Sequence, residues 1–165
     1  MLFSEAEKEA LKVKEDRIYI CGKSFKLFFF YYFRNYIKLK SAPFHYDMIQ
    51  DLEDFKFLLW IMFRESAKTS LARAFCTWEI VYQKKFNIHW IGHELKKAYK
   101  NARAVANELQ SNPFIIEDFG QLYYEDKRED NRKSKPKKIE QFVATNGCSF
   151  SASSTIRADK SAIDN

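Results

Sequence analysis

Three stretches of the chain carry apolar residues at the spacing of an amphipathic helix. Residues 68–86 place them at steps of three and four, which predicts a helix with one buried face. Residues 44–55 repeat this spacing, and residues 93–112 predict a third helix that ends where Pro113 follows Asn112. The apolar positions of the first two segments are Leu71, Ala74, Phe75, Trp78, Val81 and Tyr82, and Phe44, Met48, Ile49 and Leu52.

Two short segments next to these helices have the pattern of strands. Residues 55–63, FKFLLWIMF, form a continuous apolar run between polar turns, which predicts a strand buried on both faces, as in a parallel sheet. Residues 87–92 predict a second short strand. The order of strand, turn, helix, strand and helix is typical of an α/β fold, a parallel sheet with flanking helices.

The N-terminal part of the chain predicts a helical lead-in to this core. Ser4 can cap a short helix over residues 4–13. Residues 16–24 have a pattern that fits either a short strand or a loop. Residues 23–40 predict an aromatic-rich helix, and Pro43 disfavours helical backbone at the residue before it.

The amino-acid composition of the chain changes after Gly120. Residues 123–138 are mostly charged, with basic residues in excess, and predict a surface loop that either is simply solvated or contacts nucleic-acid phosphates. Residues 139–154 alternate around Asn146-Gly147, the strongest short signal for a β-hairpin. We therefore divide the chain into a lead-in over 1–43, a core domain over 44–154 and an unstructured tail over 155–165.

The amino-acid composition limits which classes of protein and which binding partners are consistent with the sequence. The 165 residues, of which 46% are hydrophobic, are enough for one domain with a real core. A net charge of +6 favours an anionic partner: nucleic acid, a nucleotide or a membrane surface. Three cysteines without a CxxC pair exclude a zinc ribbon and indicate a reducing cytoplasm. The apolar run at 25–33 is far shorter than the roughly 20 residues of a membrane span, so no membrane partner is expected.

The junction between residues 55–63 and the following helix has the parts of a phosphate-binding loop. Such a loop needs a strand to anchor it, a turn with inward-facing N–H groups, a Lys for the outer phosphates and a hydroxyl for Mg²⁺. Here the turn is 64–67, the Lys is Lys68, and the hydroxyl is Thr69, with Ser70 as a weaker candidate.

The match to the usual pattern, G-x-x-x-x-G-K-[ST], is imperfect. Met62 and Ala67 occupy the two glycine positions, and a left-handed backbone at either would cost about 1–2 kcal/mol. The alternative is an amphipathic helix whose Lys68 only faces solvent. A second Gly-Lys-Ser at residues 22–24 lacks both the buried strand before it and the aliphatic helix after it.

These features, in this order, resemble the N-terminal ATPase half of the phage terminase large subunit, the motor that packages DNA into proheads. The resemblance extends from about residue 28 to residue 154. It rests on residues 42–45 (APFH), 63–72 (FRESAKTSLA), 87–120 and 142–154 (FVATNGCSFSASS). In this family a degenerate phosphate loop with Ala before Lys and a nearby Arg is familiar.

The resemblance implies a role for each residue of the loop. Lys68 would bind the β- and γ-phosphates of ATP, and Arg64 would reach the γ-phosphate; these are the two candidate catalytic residues. Thr69 would ligate Mg²⁺. The other candidate ATP-binding residues are Glu65, Ser66, Ala67 and Ser70. Phe44 and His45 would lie near the adenine.

The departures from the family pattern concern hydrolysis. The family places Asp and Glu at the end of a strand after the hairpin, to hold Mg²⁺ and activate water. Residues 114–118, FIIED, have the letters but come too early, and a capping segment is the preferred interpretation. The nuclease of the family has no counterpart in residues 1–165. The sequence therefore predicts an incomplete motor that binds ATP with little or no hydrolysis.

The resemblance also implies partners: double-stranded DNA, the small terminase subunit and the portal protein, in the cytoplasm of a host cell. Homo-oligomers are expected only of a full-length protein. The first rival hypothesis is a basic nucleic-acid-binding module without nucleotide chemistry, using residues 127–138 and nearby aromatic side chains. A second rival is an interaction domain that docks through its Phe-Tyr helix.

Overall fold

The computed structural model describes residues 3–37, 41–125 and 140–155. These residues form seven α-helices, one 3₁₀ turn and three strands, a mixed α/β architecture. The helices are α1 (Glu5–Ala10), α2 (Lys14–Lys23), α3 (Phe25–Tyr32), α4 (Pro43–Asp54), α5 (Lys68–Val81), α6 (Leu95–Ser111) and α7 (Pro113–Phe119), and the 3₁₀ turn is Arg34–Tyr36. The strands are β1 (Asn87–Gly92), β2 (Gln141–Val143) and β3 (Ser149–Ser154).

The three strands form one small sheet in the order β1-β3-β2. β1 runs parallel to β3, with Asn87 opposite Ser149, whereas β2 and β3 are antiparallel. The turn between β2 and β3 is closed by a hydrogen bond from the Ala144 N–H to the Cys148 carbonyl, and Gly147 has a positive φ of 89° there. The predicted strand at 87–92 and the predicted hairpin are both confirmed.

Helical periodicity predicted the helices of the core correctly. α4, α5 and α6 cover the three segments with that spacing, within a few residues at their ends. α6 packs on β1 and β3 through a face of small side chains. That buried face consists of Ala98, Ala102, Val105, Ala106 and Leu109.

The lead-in differs from its prediction in two places. Residues 16–24, expected to be a strand or a loop, lie almost entirely in α2. This helix is fixed by long-range contacts: the Trp78 and Tyr82 side chains donate to the carbonyls of Cys21 and Ile18 at 2.8 and 2.9 Å. The predicted helix over 23–40 covers only α3 and the 3₁₀ turn among the described residues.

The prediction of a buried strand over residues 55–63 is wrong. This segment pairs with no strand in the described part of the chain, and Phe57, Leu59 and Ile61 are 85, 81 and 89% exposed. Trp60 and Met62 pack partly against the core, and the Phe63 ring contacts the ring of Phe44 on α4. A continuous apolar run is buried on both faces only where other strands pair with its edges and layers cover its faces, and the described residues supply neither.

The charged loop predicted over 123–138 lies outside the described residues from 126 onward, and the tail predicted over 155–165 lies outside them from 156 onward. None of the described helices combines the length and the apolar character needed to cross a lipid bilayer.

A buried ion pair joins the lead-in to the C-terminal end of the helical layer. The Arg17 guanidinium on α2 donates to both carboxylate oxygens of Asp118 on α7, at 2.8 and 2.5 Å. Tyr32 adds a third hydrogen bond to this carboxylate at 2.7 Å. Burial would raise the pKa of Asp118, but the bonds from Arg17 and Tyr32 and the Arg17 charge outweigh it and leave the pKa below its usual range.

We predict that Asp118→Asn lowers the free energy of unfolding by about 3 kcal/mol, because it leaves the Arg17 charge buried without a counter-charge. Urea denaturation at pH 7 measures this change. The matched control is Glu117→Gln. The Glu117 side chain is 62% exposed, and its carboxylate lies 3.7 Å from the same guanidinium. The control should cost less than about 1 kcal/mol. Equal losses from the two substitutions would contradict the structural role of Asp118.

Candidate functional site

The turn before α5 has an unusual backbone. Glu65 and Ala67 both adopt left-handed conformations, with φ of 64° and 60°. Ala67 is the residue before the helix, and Lys68 is its first residue. L-residues other than Gly, Asn and Asp rarely adopt this conformation, which costs about 1–2 kcal/mol at each. The chain therefore turns sharply into α5 although neither predicted glycine position contains Gly.

The Lys68 side chain folds back over this turn and does not extend away from the helix. Its ammonium Nζ donates to the carbonyl oxygens of Phe63 and Met62 at 2.6 and 3.2 Å, and to the Ser66 hydroxyl at 2.9 Å. Ser66 is buried beneath it. The turn thus wraps around the lysine and holds a positive charge at the N-terminal end of α5.

The backbone N–H groups at this end of the helix have no acceptor. Within the described residues, those of 64–70 donate no hydrogen bond, and the first bond of α5 runs from Leu71 N–H to the Ala67 carbonyl. Free N–H groups at a helix N-terminus, together with the helix dipole, favour an anion. The side chains of Thr69 and Ser70 are exposed at the same end.

Arg64 and Glu65, the remaining candidates, are exposed. No hydrogen bond or ion pair joins the Arg64 side chain to another residue in the described ranges. The structure therefore brings Ser66, Ala67 and Lys68 together in one arrangement, with Thr69 and Ser70 beside it. Arg64 lies next to this arrangement without contacting it.

A cavity of about 570 Å³ opens beside the turn. Ala67, Ser70, Leu71 and Arg73 of α5 and its N-terminal turn form one wall. The remaining wall residues come from the lead-in, from α4 and from α6, and many have aromatic or small side chains. These are Phe29, Phe33, Tyr36, Ile37, Ser41, Ala42, His45, Ala104 and Glu108. A mostly apolar cavity with a few polar groups is the usual form of a small-molecule site.

His45 lies in this cavity, with the ring of Phe44 against it at 4.2 Å between centroids. The His45 Nδ1 accepts the Ala42 backbone N–H at 3.1 Å. In the neutral ring the proton therefore resides on Nε2, which is left as a donor. Of the two residues expected near the adenine, His45 lines the cavity and Phe44 contacts it from outside the lining; the expectation of a bound base stays a prediction.

Sequence reasoning missed two features of the site. It did not connect the aromatic side chains of residues 25–36 with the phosphate loop, although Phe29, Phe33 and Tyr36 line the cavity. It also did not single out Arg73. Only the spacing of Arg73, three residues after Ser70 on a predicted helix, signals that these two residues share a face.

The described residues give no sign of a carboxylate group that could hold Mg²⁺ for hydrolysis. Among the described residues no group of three or more His, Cys, Asp or Glu side chains is arranged to hold a metal ion. Asp118 of the FIIED segment is fully buried in its contact with Arg17. The segment is the short helix α7, which Asn112 caps, so its carboxylate has a structural role.

The second Gly-Lys-Ser, at residues 22–24, forms the junction between two helices. Lys23 is the last residue of α2, and the Ser24 hydroxyl caps α3 by accepting the Leu27 N–H. A Cβ at Gly22 would lie 2.8 Å from the ring of Tyr82. This glycine therefore serves close packing between helices rather than a phosphate-binding turn.

Comparisons of the chain with protein-family models, with curated proteins and with solved structures find no match.

We predict that Ala67→Gly raises the free energy of unfolding by about 1 kcal/mol, because glycine adopts a left-handed backbone without the steric cost of a Cβ. The matched control is Ala72→Gly inside α5, which should lower it by about 1 kcal/mol. Urea denaturation of the two variants measures both effects. Similar destabilisation by both substitutions would show that residue 67 does not need this conformation.

Proposed function

We propose that this chain binds ATP through the turn and the first residues of α5, with the nucleoside in the neighbouring cavity. The observation that carries this proposal is the position of Lys68. Its ammonium is held by three oxygens of the turn at the N-terminal end of a helix whose first N–H groups are free. A polyphosphate would meet a positive charge and a set of unpaired donors at one point.

The cavity supplies the second part of the proposal. It adjoins the turn at Ala67 and Ser70, so a ligand with its phosphates on the turn can extend into it. Its aromatic and apolar walls suit a purine base, and the free Nε2 donor of His45 suits an acceptor atom on that base. Phosphates bind at a polar turn, and the base binds in an apolar cavity.

Mg²⁺ fits this site as a partner of the nucleotide. Thr69 offers one exposed hydroxyl as a ligand, and no described carboxylate cluster stands beside it. Mg²⁺ commonly keeps several waters and binds through substrate phosphates, so one hydroxyl from the chain is sufficient. When bound, the ion would neutralise phosphate charge.

The wider proposal is that the chain is the ATP-binding part of a DNA-packaging motor of the terminase large-subunit type. It is supported by the ordered resemblance of residues 42–45, 63–72 and 142–154 to that family. Double-stranded DNA, a small terminase subunit, a portal protein and a location in the host cytoplasm belong to this proposal.

We expect wild-type protein to bind MgATP in isothermal titration calorimetry and Lys68→Ala to weaken that binding at least tenfold, through loss of a charge-assisted contact. Lys23→Ala is the matched control, because it removes the lysine of the other Gly-Lys-Ser and should leave the Kd unchanged. The proposal fails if wild type and Lys68→Ala bind equally. Salt-sensitive DNA binding that ignores both ATP and Lys68→Ala would instead favour the nucleic-acid-binding module.

We also expect the chain alone to release phosphate from MgATP no faster than Lys68→Ala does. No group of carboxylates among the described residues is arranged to hold a metal ion, and the Glu108 carboxylate in the cavity wall is hydrogen-bonded to Tyr36 and Asn112. A malachite-green assay of the two proteins measures this. Robust turnover that depends on Lys68 would reveal a catalytic carboxylate elsewhere in the chain and overturn this expectation.

A further inference from the structure

Arg73 is a cation in the wall of the cavity, in addition to Lys68 on the neighbouring turn. It lies on α5 at intervals of three after Ala67 and Ser70, and all three residues line the cavity. Its Nε and Nη2 atoms both donate to the Oδ1 of Asn101 on α6, at 2.9 and 2.5 Å. This two-point contact with one oxygen fixes the plane of the guanidinium.

Within the described residues Arg73 has no carboxylate partner. The carboxylate that lines the same cavity, Glu108, accepts hydrogen bonds from Tyr36 and Asn112 at 2.7 and 2.9 Å. The guanidinium is partly buried against a neutral amide, and burial lowers the pKa of Arg73. A buried charge is normally paired, so this arrangement favours an anionic group in the cavity.

The distance along α5 indicates which anionic group. Arg73 comes five residues after Lys68, so their Cα atoms are separated by about 7.5 Å of helix rise. Lys68 and the free N–H groups lie at the end of the helix, where the outer phosphates would bind. If the outer phosphates bind at Lys68 and the base binds in the cavity, an anionic group at Arg73 would fall between them.

We infer that Arg73 binds the α-phosphate, the phosphate nearest the nucleoside, and that Asn101 is its positioning residue. This inference rests on the proposed function, because it takes the ligand to be a nucleotide with its outer phosphates at Lys68. The site then holds two cations for different phosphates. Nucleoside monophosphates and triphosphates share the Arg73 contact, and only triphosphates use both.

The first test compares the affinities of ATP, AMP and adenosine for wild type, Arg73→Gln and Lys68→Ala by calorimetry. Arg73→Gln should weaken ATP and AMP by about the same factor, on the order of tenfold, and leave adenosine unchanged. Lys68→Ala should weaken ATP more than AMP. Arg73→Lys should restore part of the lost affinity, since it keeps the charge but not the planar fork.

The second test gives Arg73 a counter-charge from the chain itself. Asn101→Asp places a carboxylate where the amide oxygen now accepts both hydrogen bonds. The variant should raise the urea midpoint, because it pairs a partly buried charge, and should weaken AMP and ATP binding at least several-fold. A merely structural Arg73 would give the rise in stability without the loss of affinity.

The outcomes separate this inference from the proposed function. If Lys68→Ala weakens ATP binding while Arg73→Gln leaves it unchanged, the proposed function stands and the inference is overturned. If Arg73→Gln weakens adenosine as much as AMP, the guanidinium contacts the base or the ribose, and the inference is again overturned. No binding of ATP to wild type would overturn both.

Discussion

The anchoring of α5 is the constraint on which the candidate site depends. The C-terminal half of this helix is locked in place: Trp78 packs on Phe25 and donates to the Cys21 carbonyl, and Ile80 and Val81 are buried. Its first three residues are less covered: Lys68 is partly exposed, and Thr69 and Ser70 are exposed. A helix that is held at one end by aromatic packing can present its other end, with unpaired N–H groups, to a ligand.

The strained backbone of the turn before α5 lies at the proposed phosphate-binding site. Two non-glycine residues, Glu65 and Ala67, have left-handed backbone, and the contacts of Lys68 with the turn are what the structure offers in compensation. Strained backbone of this kind persists where the surroundings over-determine it, and it clusters at ligand-binding sites. A phosphate on the free N–H groups would compete with the carbonyls of the turn for the Lys68 ammonium. Ligand binding and the internal contacts of the turn are therefore linked.

Sequence patterns correctly predicted the helices and strands that are determined by neighbouring residues. The spacing of apolar residues gives α5 and α6, and Asn146-Gly147 gives the hairpin, because a few neighbouring residues decide each one. Residues 16–24 were predicted wrongly because α2 depends on partners such as Asp118, 101 positions from Arg17. For residues 55–63 the pattern identified an apolar segment, but not whether strands would pair with it. A short motif was enough to identify the lysine of the site. The cavity could not be identified in this way, because residues of α3, α4 and α6, which are distant in sequence, form its walls.

The electrostatics of the candidate site bear on the proposed difference between nucleotide binding and hydrolysis. Lys68, Arg73 and the N-terminal end of α5 all attract negative charge, and the nearby carboxylate of Glu108 is engaged by Tyr36 and Asn112. These groups would stabilise a bound polyphosphate in its ground state. Hydrolysis also requires a carboxylate that orients water and helps to hold Mg²⁺ against the γ-phosphate. In the described residues no group of carboxylates is arranged to hold a metal ion, and this is the physical reason for proposing that the chain binds a nucleotide without cleaving it.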